Sequence, residues 1–224
     1  MRFLLIRSSS YNTFSTTAIF YFICESDAIE SIRDDPWLIK AQIQNRRRHG
    51  HVGALLSLDK NASQKVLLTS TLIQHTQSLI VARQHQQDQR KIAKKHRGHW
   101  RDVDVWIVKK VGGLIVDEIE MPPPTDVPLL MNELANGMMH WQATCATLSD
   151  AEKITAIARF HYDYLRIHPF VDGNGRSGRA LVYYLYRFAG LTPFIFTAAD
   201  RHATYYQCFR DPADMVEYFR QRTI

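Results

Sequence analysis

Apolar and polar positions follow different periods along the chain, and each change of period marks an element. Residues 1–24 have no clear period, and their Ser, Thr, Tyr and Phe content fits a strand or a frayed terminus. Residues 25–48 read as helical, broken at Pro36, which lacks a donor N–H and clashes with the preceding turn. Residues 67–83 predict a second helix, with Leu67, Leu68, Leu72, Ile73, Leu79 and Ile80 on or near one face. The polar stretch 84–97 reads as a connection or a surface extension of that helix.

The period then drops to two. Val103, Val105 and Ile107 alternate, Gly112-Gly113 supplies a turn, and Leu114-Ile115-Val116 runs back, which predicts a β-hairpin. Pro122-Pro123-Pro124 excludes regular structure, and helix resumes over 127–148 with Pro128 tolerated in its first turn. Asp150 reads as an N-cap for a helix over 151–167, where Ile154, Ile157, Ala158, His161 and Leu165 recur at helical spacing. A glycine-rich interruption spans 172–178. The helix expected after it, 179–189, is ended by Gly190 and Pro193, and helical stretches near 203–209 and 212–222 close the chain. The fold class expected is mostly α, one helical domain with a single hairpin.

Composition narrows the picture. The chain has 224 residues, 46% hydrophobic and 22% charged, which suits a globular protein and excludes wholesale disorder. No apolar run approaches the roughly 20 residues needed to span a bilayer, and 18–24, the longest early one, follows a Ser/Thr-rich stretch that argues against a signal peptide. Three widely spaced cysteines, Cys24, Cys145 and Cys208, suggest neither a disulfide framework nor a zinc site, so a reducing, cytoplasmic setting is expected.

The net charge of +6 is uneven, with 13 Lys/Arg against only Asp59 and Asp88 between Lys40 and Arg101. Clustered cations can bind nucleic acid. No aromatic interrupts the run 84–97 and no recognition motif is visible, so the reading favours a solvated face or an acidic protein partner over nucleic acid.

The informative segment is His168-Pro-Phe-Val-Asp-Gly-Asn-Gly-Arg-Ser-Gly-Arg179. Its Gly173-x-Gly175-x-x-Gly178 spacing mimics a dinucleotide fingerprint, but that fingerprint needs a preceding strand, and the periodicity here is helical. The residues themselves describe phosphate chemistry. Gly173 and Gly175 let the backbone close on a ligand, and a helix begins behind them, so N–H groups and a helix N-terminus form an anion hole. Arg176 and Arg179 add two permanent forks for phosphate oxygens. Asp172, the lone carboxylate, suits a Mg²⁺ ion, and His168 suits proton abstraction near neutral pH.

This segment resembles, without departure, the signature His-x-Phe-x-Asp/Glu-Gly-Asn-Gly-Arg-x-x-Arg of Fic (Fido-fold) proteins. His161, Ile167 and Tyr205-Tyr206 fit the same likeness, as do Gly98-His-Trp-Arg101, the hairpin and 122–134. The resemblance covers roughly 67–219. It implies a catalytic domain over 67–224 after an N-terminal region 1–66, and an AMP transferase with ATP as donor. The acceptor would be a Tyr, Thr or Ser hydroxyl of a target protein. His168 would be the general base and Asp172 the Mg²⁺ ligand. Asn174 and the backbone of Gly173–Gly175 would hold the α-phosphate, Arg176 the β-phosphate and Arg179 the γ-phosphate, with Ser177 and Gly178 completing the loop. Tyr205 and Tyr206 would line the adenine side, or else serve as core aromatics. The flap, Val105, Trp106, Ile107 and Val108, would pair edge-on with an extended target segment. The unaltered loop favours AMP over other nucleotides, and no membrane is implied. A homodimer is compatible with the sequence.

Many members of the family carry an inhibitory helix with the pattern Ser/Thr-x-x-x-Glu-Gly/Asn. Ser26-Asp-Ala-Ile-Glu30-Ser31 resembles it, departing at Ser31, and places the inhibitory helix at about 25–35. Glu30 would then occupy the fork of Arg179 where the γ-phosphate belongs, with Ser26 as the other marked position. Two alternatives stand beside auto-inhibited transfer: removal of AMP by a water that Glu30 orients, and a nucleotide-sensing regulator or binding module. The presence of His168 argues against the last, since binding alone needs no base.

Overall fold

The computed structural model of the chain describes residues 15–32, 34–82, 92–111 and 114–223, with the side chains of 108–117 outside the description. Among them are eight α-helices and one two-stranded sheet, in the order α1 (Thr16–Ile29), α2 (Pro36–Gln44), α3 (Gly50–Ser63), α4 (Ser70–Val81), β1 (Trp106–Val111), β2 (Leu114–Glu120), α5 (Val127–Thr144), α6 (Asp150–Ile167), α7 (Asn174–Ala189) and α8 (Pro212–Arg222). Short 3₁₀ turns at Lys94–His96, Cys145–Thr147, Ala198–Asp200 and Tyr205–Phe209 link them. No helix of the described residues is long and apolar enough to cross a membrane.

Helix α7 is the centre of the fold. Leu181, Val182, Tyr183, Tyr184, Leu185 and Tyr186 are all buried, so it is covered on every side, and α1, α3, α4 and α6 pack around it. Its stretch 180–186 is apolar on every side, and such a stretch belongs in a core. Helix α6 instead buries one stripe, Ile154, Ile157, Ala158, His161 and Leu165, and starts from a capping box: Ser149 and Glu152 satisfy each other's backbone N–H. The cap is Ser149 and not Asp150.

Several expected boundaries move. Helix α1 already starts at Thr16, inside the stretch without period, because Ser15 caps it and Ala18, Ile19, Phe22 and Ile23 are buried. It ends at Ile29, so the helical reading of 25–48 resolves into the end of α1 and a separate α2, N-capped by Asp35 ahead of Pro36. Helix α3 was not expected at all. Helix α4 begins three residues late, at Ser70 behind the Thr69 cap, and leaves Leu67 exposed. Helix α5 gives way after Thr144 to a 3₁₀ turn, and the stretch near 203–209 is 3₁₀. Within 84–97, residues 84–91 lie outside the description.

The hairpin pairs antiparallel from Trp106 opposite Glu120 to Val111 opposite Leu114, with a register shift at Lys109/Lys110, and Gly112-Gly113 lies outside the described residues. Trp106 and Ile107 are exposed.

Candidate active site at the start of helix α7

The glycine-rich segment is mostly helix. Helix α7 starts at Asn174, five residues earlier than expected, although Asn and Gly are poor helix formers. Side-chain bonds impose the turn. Asn174 is buried; its Oδ1 accepts from the Phe170 N–H at 2.9 Å and its Nδ2 donates to the Phe170 carbonyl at 2.7 Å. Ser177 Oγ lies 2.7 Å from the Gly173 carbonyl and 2.6 Å from the Tyr164 hydroxyl. Gly173, at φ 84°, takes the left-handed conformation that reverses the chain into the helix. The first N–H groups of α7 therefore point out of the turn with no partner inside the helix. The side chain of Asn174 is committed to Phe170, so what this residue offers a ligand is its backbone.

His168 caps the end of α6 with φ 51°, and its N–H bonds the Tyr164 carbonyl at 3.1 Å. Its Nδ1 faces the Leu165 carbonyl at 3.4 Å, which directs Nε2 away from the helix. Burial lowers the imidazole pKa below its ordinary value and Arg101 adds to this, while the Leu165 carbonyl, Glu30 and Asp172 oppose it. The imidazole is thereby held neutral near pH 7.

Asp172 Oδ1 accepts from the Gly173 N–H at 2.5 Å and stands 3.5 Å from Arg176 Nη2. Its carbonyl is fixed by Gln77, a fully buried residue of α4 whose Oε1 also takes the Gly98 N–H at 2.7 Å. Nothing in the sequence marks Gln77 apart from any polar residue on a helix.

The N-terminal helix reaches this turn. Arg179 is 1% exposed, and Nη2 lies 2.8 Å from Glu30 Oε1 and 2.8 Å from the Ser26 carbonyl, while Nε lies 2.9 Å from Ser26 Oγ. Burial works against the charge of Arg179, but Glu30 and Tyr205 outweigh it and hold the guanidinium above its ordinary pKa. A Cβ at Gly175 would collide with Glu30 Oε1, so this glycine makes the room in which the carboxylate sits. Glu30 follows α1 as its C-cap instead of lying within a helix. Ser31, the departure from the pattern, adopts φ 62° and its Oγ takes a bond from Arg201 at 2.9 Å.

Tyr205 and Tyr206 separate. Tyr205 is 1% exposed, with its hydroxyl 2.9 Å from His161 Nε2, so the core-aromatic reading describes it and the ligand-lining one does not. Burial, with Arg179 nearby, pushes His161 down to about 3, a neutral ring behind the site. Tyr206 is half-buried under Arg201. On the flap, Val105 precedes β1, Trp106 and Ile107 are exposed, and Val108 lies on β1 with its side chain outside the description. Beside it, an open groove of about 800 Å³ runs between Met121-Pro122, the Leu130–Leu134 face of α5 and Ile167.

A Fic/DOC family model matches residues 68–186. The protein adenylyltransferase Fic of Nematostella vectensis is 29% identical over 141 residues, covering 62% of this chain and 30% of that one. The one from Aedes aegypti is 39% identical over 84 residues, covering 38% and 16%. The chain thus spans less than a third of these relatives. Among solved structures, a Fic domain containing signaling protein from Bacteroides thetaiotaomicron superposes with a TM-score of 0.70 at 19% identity, over 92% of this chain and 82% of that one. The BepC protein of Bartonella tribocorum, solved with bound AMPPNP, does so at 0.54 and 16%, over 85% and 88%. At these identities the structural likeness concerns the fold; the family model, spanning more than half of the sequence and the whole His168–Arg179 turn, carries the assignment, and this chain belongs to the Fic/DOC family.

Proposed function

We propose that the chain transfers AMP from ATP to a Ser, Thr or Tyr hydroxyl of another protein, and that Glu30 restrains the reaction. The observation that carries this reading is the carboxylate of Glu30 against Gly175 and Arg179: an anion already sits at the helix N-terminus built to receive one. The adenylyltransferase names of the curated relatives support the same chemistry.

The acceptor oxygen attacks the α-phosphorus, the bond from that phosphorus to the oxygen bridging to the β-phosphate breaks, and pyrophosphate leaves. The hydroxyl proton passes to His168 Nε2, which is free to accept it when Nδ1 carries the hydrogen toward Leu165. The α7 N-terminus and Arg176 hold phosphate oxygens, and Arg179 takes the γ-phosphate when Glu30 withdraws. Asp172 would hold Mg²⁺. Among the described residues no group of three metal-ligating side chains stands together, which suits a cation completed by phosphate and water oxygens. When bound, such an ion neutralises triphosphate charge. The exposed Trp106 and Ile107 and the open edge of the hairpin suit an extended target segment held by main-chain bonds. Tyr206, with Tyr205 behind it, would border the adenine.

Incubation with α-labelled ATP and a lysate tests the reading. Glu30→Gly is expected to label proteins more strongly than the wild type, and label on no protein with either form overturns it.

A further inference from the structure

We propose that Arg101 is a positioning residue for His168, joining the turn that bears the base to both ends of the flap through one guanidinium. The inference rests on the reading of His168 as the base. In the sequence Arg101 closes a strongly basic stretch and looks like solvated charge, yet it is 2% exposed. Its donors all go to backbone carbonyls. Nε lies 2.9 Å from the His168 carbonyl, Nη1 3.0 Å from Val103, and Nη2 bonds Pro122 and, at 3.4 Å, Ile167. Its own N–H adds a bond to the Pro169 carbonyl at 2.9 Å.

Val103 precedes β1 and Pro122 follows β2, so the two feet of the hairpin are tied to each other and to the end of α6. Among the described residues no carboxylate stands within ion-pair distance of this buried cation. Burying a charge without a direct ion-pair partner is costly, and burial lowers the pKa of Arg101 although the nearby charge of Asp104 opposes this. Were the task only to satisfy carbonyls, a neutral donor would suffice. The planar fork does two further things. It reaches carbonyls on three chain segments from three separate nitrogens held in one plane, where a lysine would have a single nitrogen to offer. It also sets a positive charge beside the His168 ring, where Glu30 and Asp172 are the opposing charges. A shift of the flap feet therefore moves the backbone of the base, and the same group that fixes that backbone disfavours protonation of the ring.

The test uses the full chain, with Arg101→Gln and Arg101→Lys each compared with the wild type by three readouts. Hydrogen exchange covers the amides of 103–111 and 114–121, NMR follows the titration of the His168 imidazole, and labelling kinetics use α-labelled ATP. Arg101→Gln is expected to speed exchange at both feet, to raise the His168 titration midpoint, and to lower kcat on the order of 10²-fold with little change in the KM for ATP. Arg101→Lys keeps the charge and loses the fork, so exchange quickens while the midpoint stays near that of the wild type. Should one variant fail to fold by circular dichroism, the other decides. Unchanged exchange at the feet, or an unmoved His168 midpoint in Arg101→Gln, overturns the proposal. Exchange and titration do not depend on turnover. A chain that never labels protein would refute AMP transfer, and these two readouts would still judge Arg101.

Discussion

Two sides of the His168–Arg179 turn are each held by a buried arginine, and the two arginines are bound in opposite ways. On the side of α1, Arg179 meets a carboxylate, a hydroxyl and one carbonyl, all from Ser26 and Glu30. On the side of the flap, Arg101 meets carbonyls of the backbone itself. A carboxylate can be exchanged for a phosphate, which offers the same oxygens and more charge. Backbone carbonyls cannot be exchanged without moving the chain. On the proposed function, the side of Glu30 lets go and the side of Arg101 stays.

Substitutions can break that contrast. The largest effect is expected from His168→Ala, which removes the proposed base from the side held by Arg101. Labelling should fall by about 10²–10⁴-fold while ATP binding, followed by calorimetry, is largely kept. A comparable rate would end the assignment of His168.

Next is the side of Glu30. Loss of a charged hydrogen bond is worth about 1.5–3 kcal/mol, so Glu30→Gly should raise labelling by roughly 10–100-fold. Arg179→Ala should be inactive, and the double variant should match it, because the group both anions share is gone. Labelling that stays level or drops in Glu30→Gly would remove the brake, and release of AMP from pre-labelled protein would then be the activity to assay.

Asn174→Ala tests permanence without touching a charge. It strands the buried N–H and carbonyl of Phe170, at about 1–3 kcal/mol each. Urea unfolding should show a loss of at least about 2 kcal/mol, and an unchanged midpoint would mean that the turn holds itself. The smallest effect concerns pH. His168 is lowered below the ordinary histidine value, so it takes up its proton only in more acidic solution. Labelling by Glu30→Gly should therefore persist below pH 6.5 and fade only as pH drops through the lowered pKa. A loss that begins above pH 6.5 would place the ring in a wetter setting.

The candidate site was legible because its residues lie in twelve consecutive positions, and the mostly helical class was legible from α5, α6 and α8, whose buried positions recur at helical spacing. Three things escaped for identifiable reasons. Helix α3 buries Val52, Ala54, Leu55, Leu58 and Ala62 at helical spacing, but Gly50 and Gly53 weaken its first turn and His49 before it makes no side-chain cap, so nothing marks where it starts. The start of α7 opposes its own propensities and is set by Asn174 and Ser177 bonding across the turn. Arg101 and Gln77 carry ordinary surface side chains, and their roles arise from which carbonyls the fold brings to them. Glu30 could be placed by its resemblance to a pattern, although the contact it makes spans 149 positions of sequence.

The φ of 51° at His168 has a consequence for how this protein can age in a population. The end of α6 is a left-handed cap, a place where glycine is the relaxed choice and a side chain costs on the order of 1 kcal/mol. Evolutionary drift toward stability would replace the histidine, since the variant that loses the proposed base is the one that relieves the backbone. Purified His168→Gly should melt no lower than His168→Ala, and a copy of this domain released from selection for activity would be expected to lose the imidazole while keeping the fold.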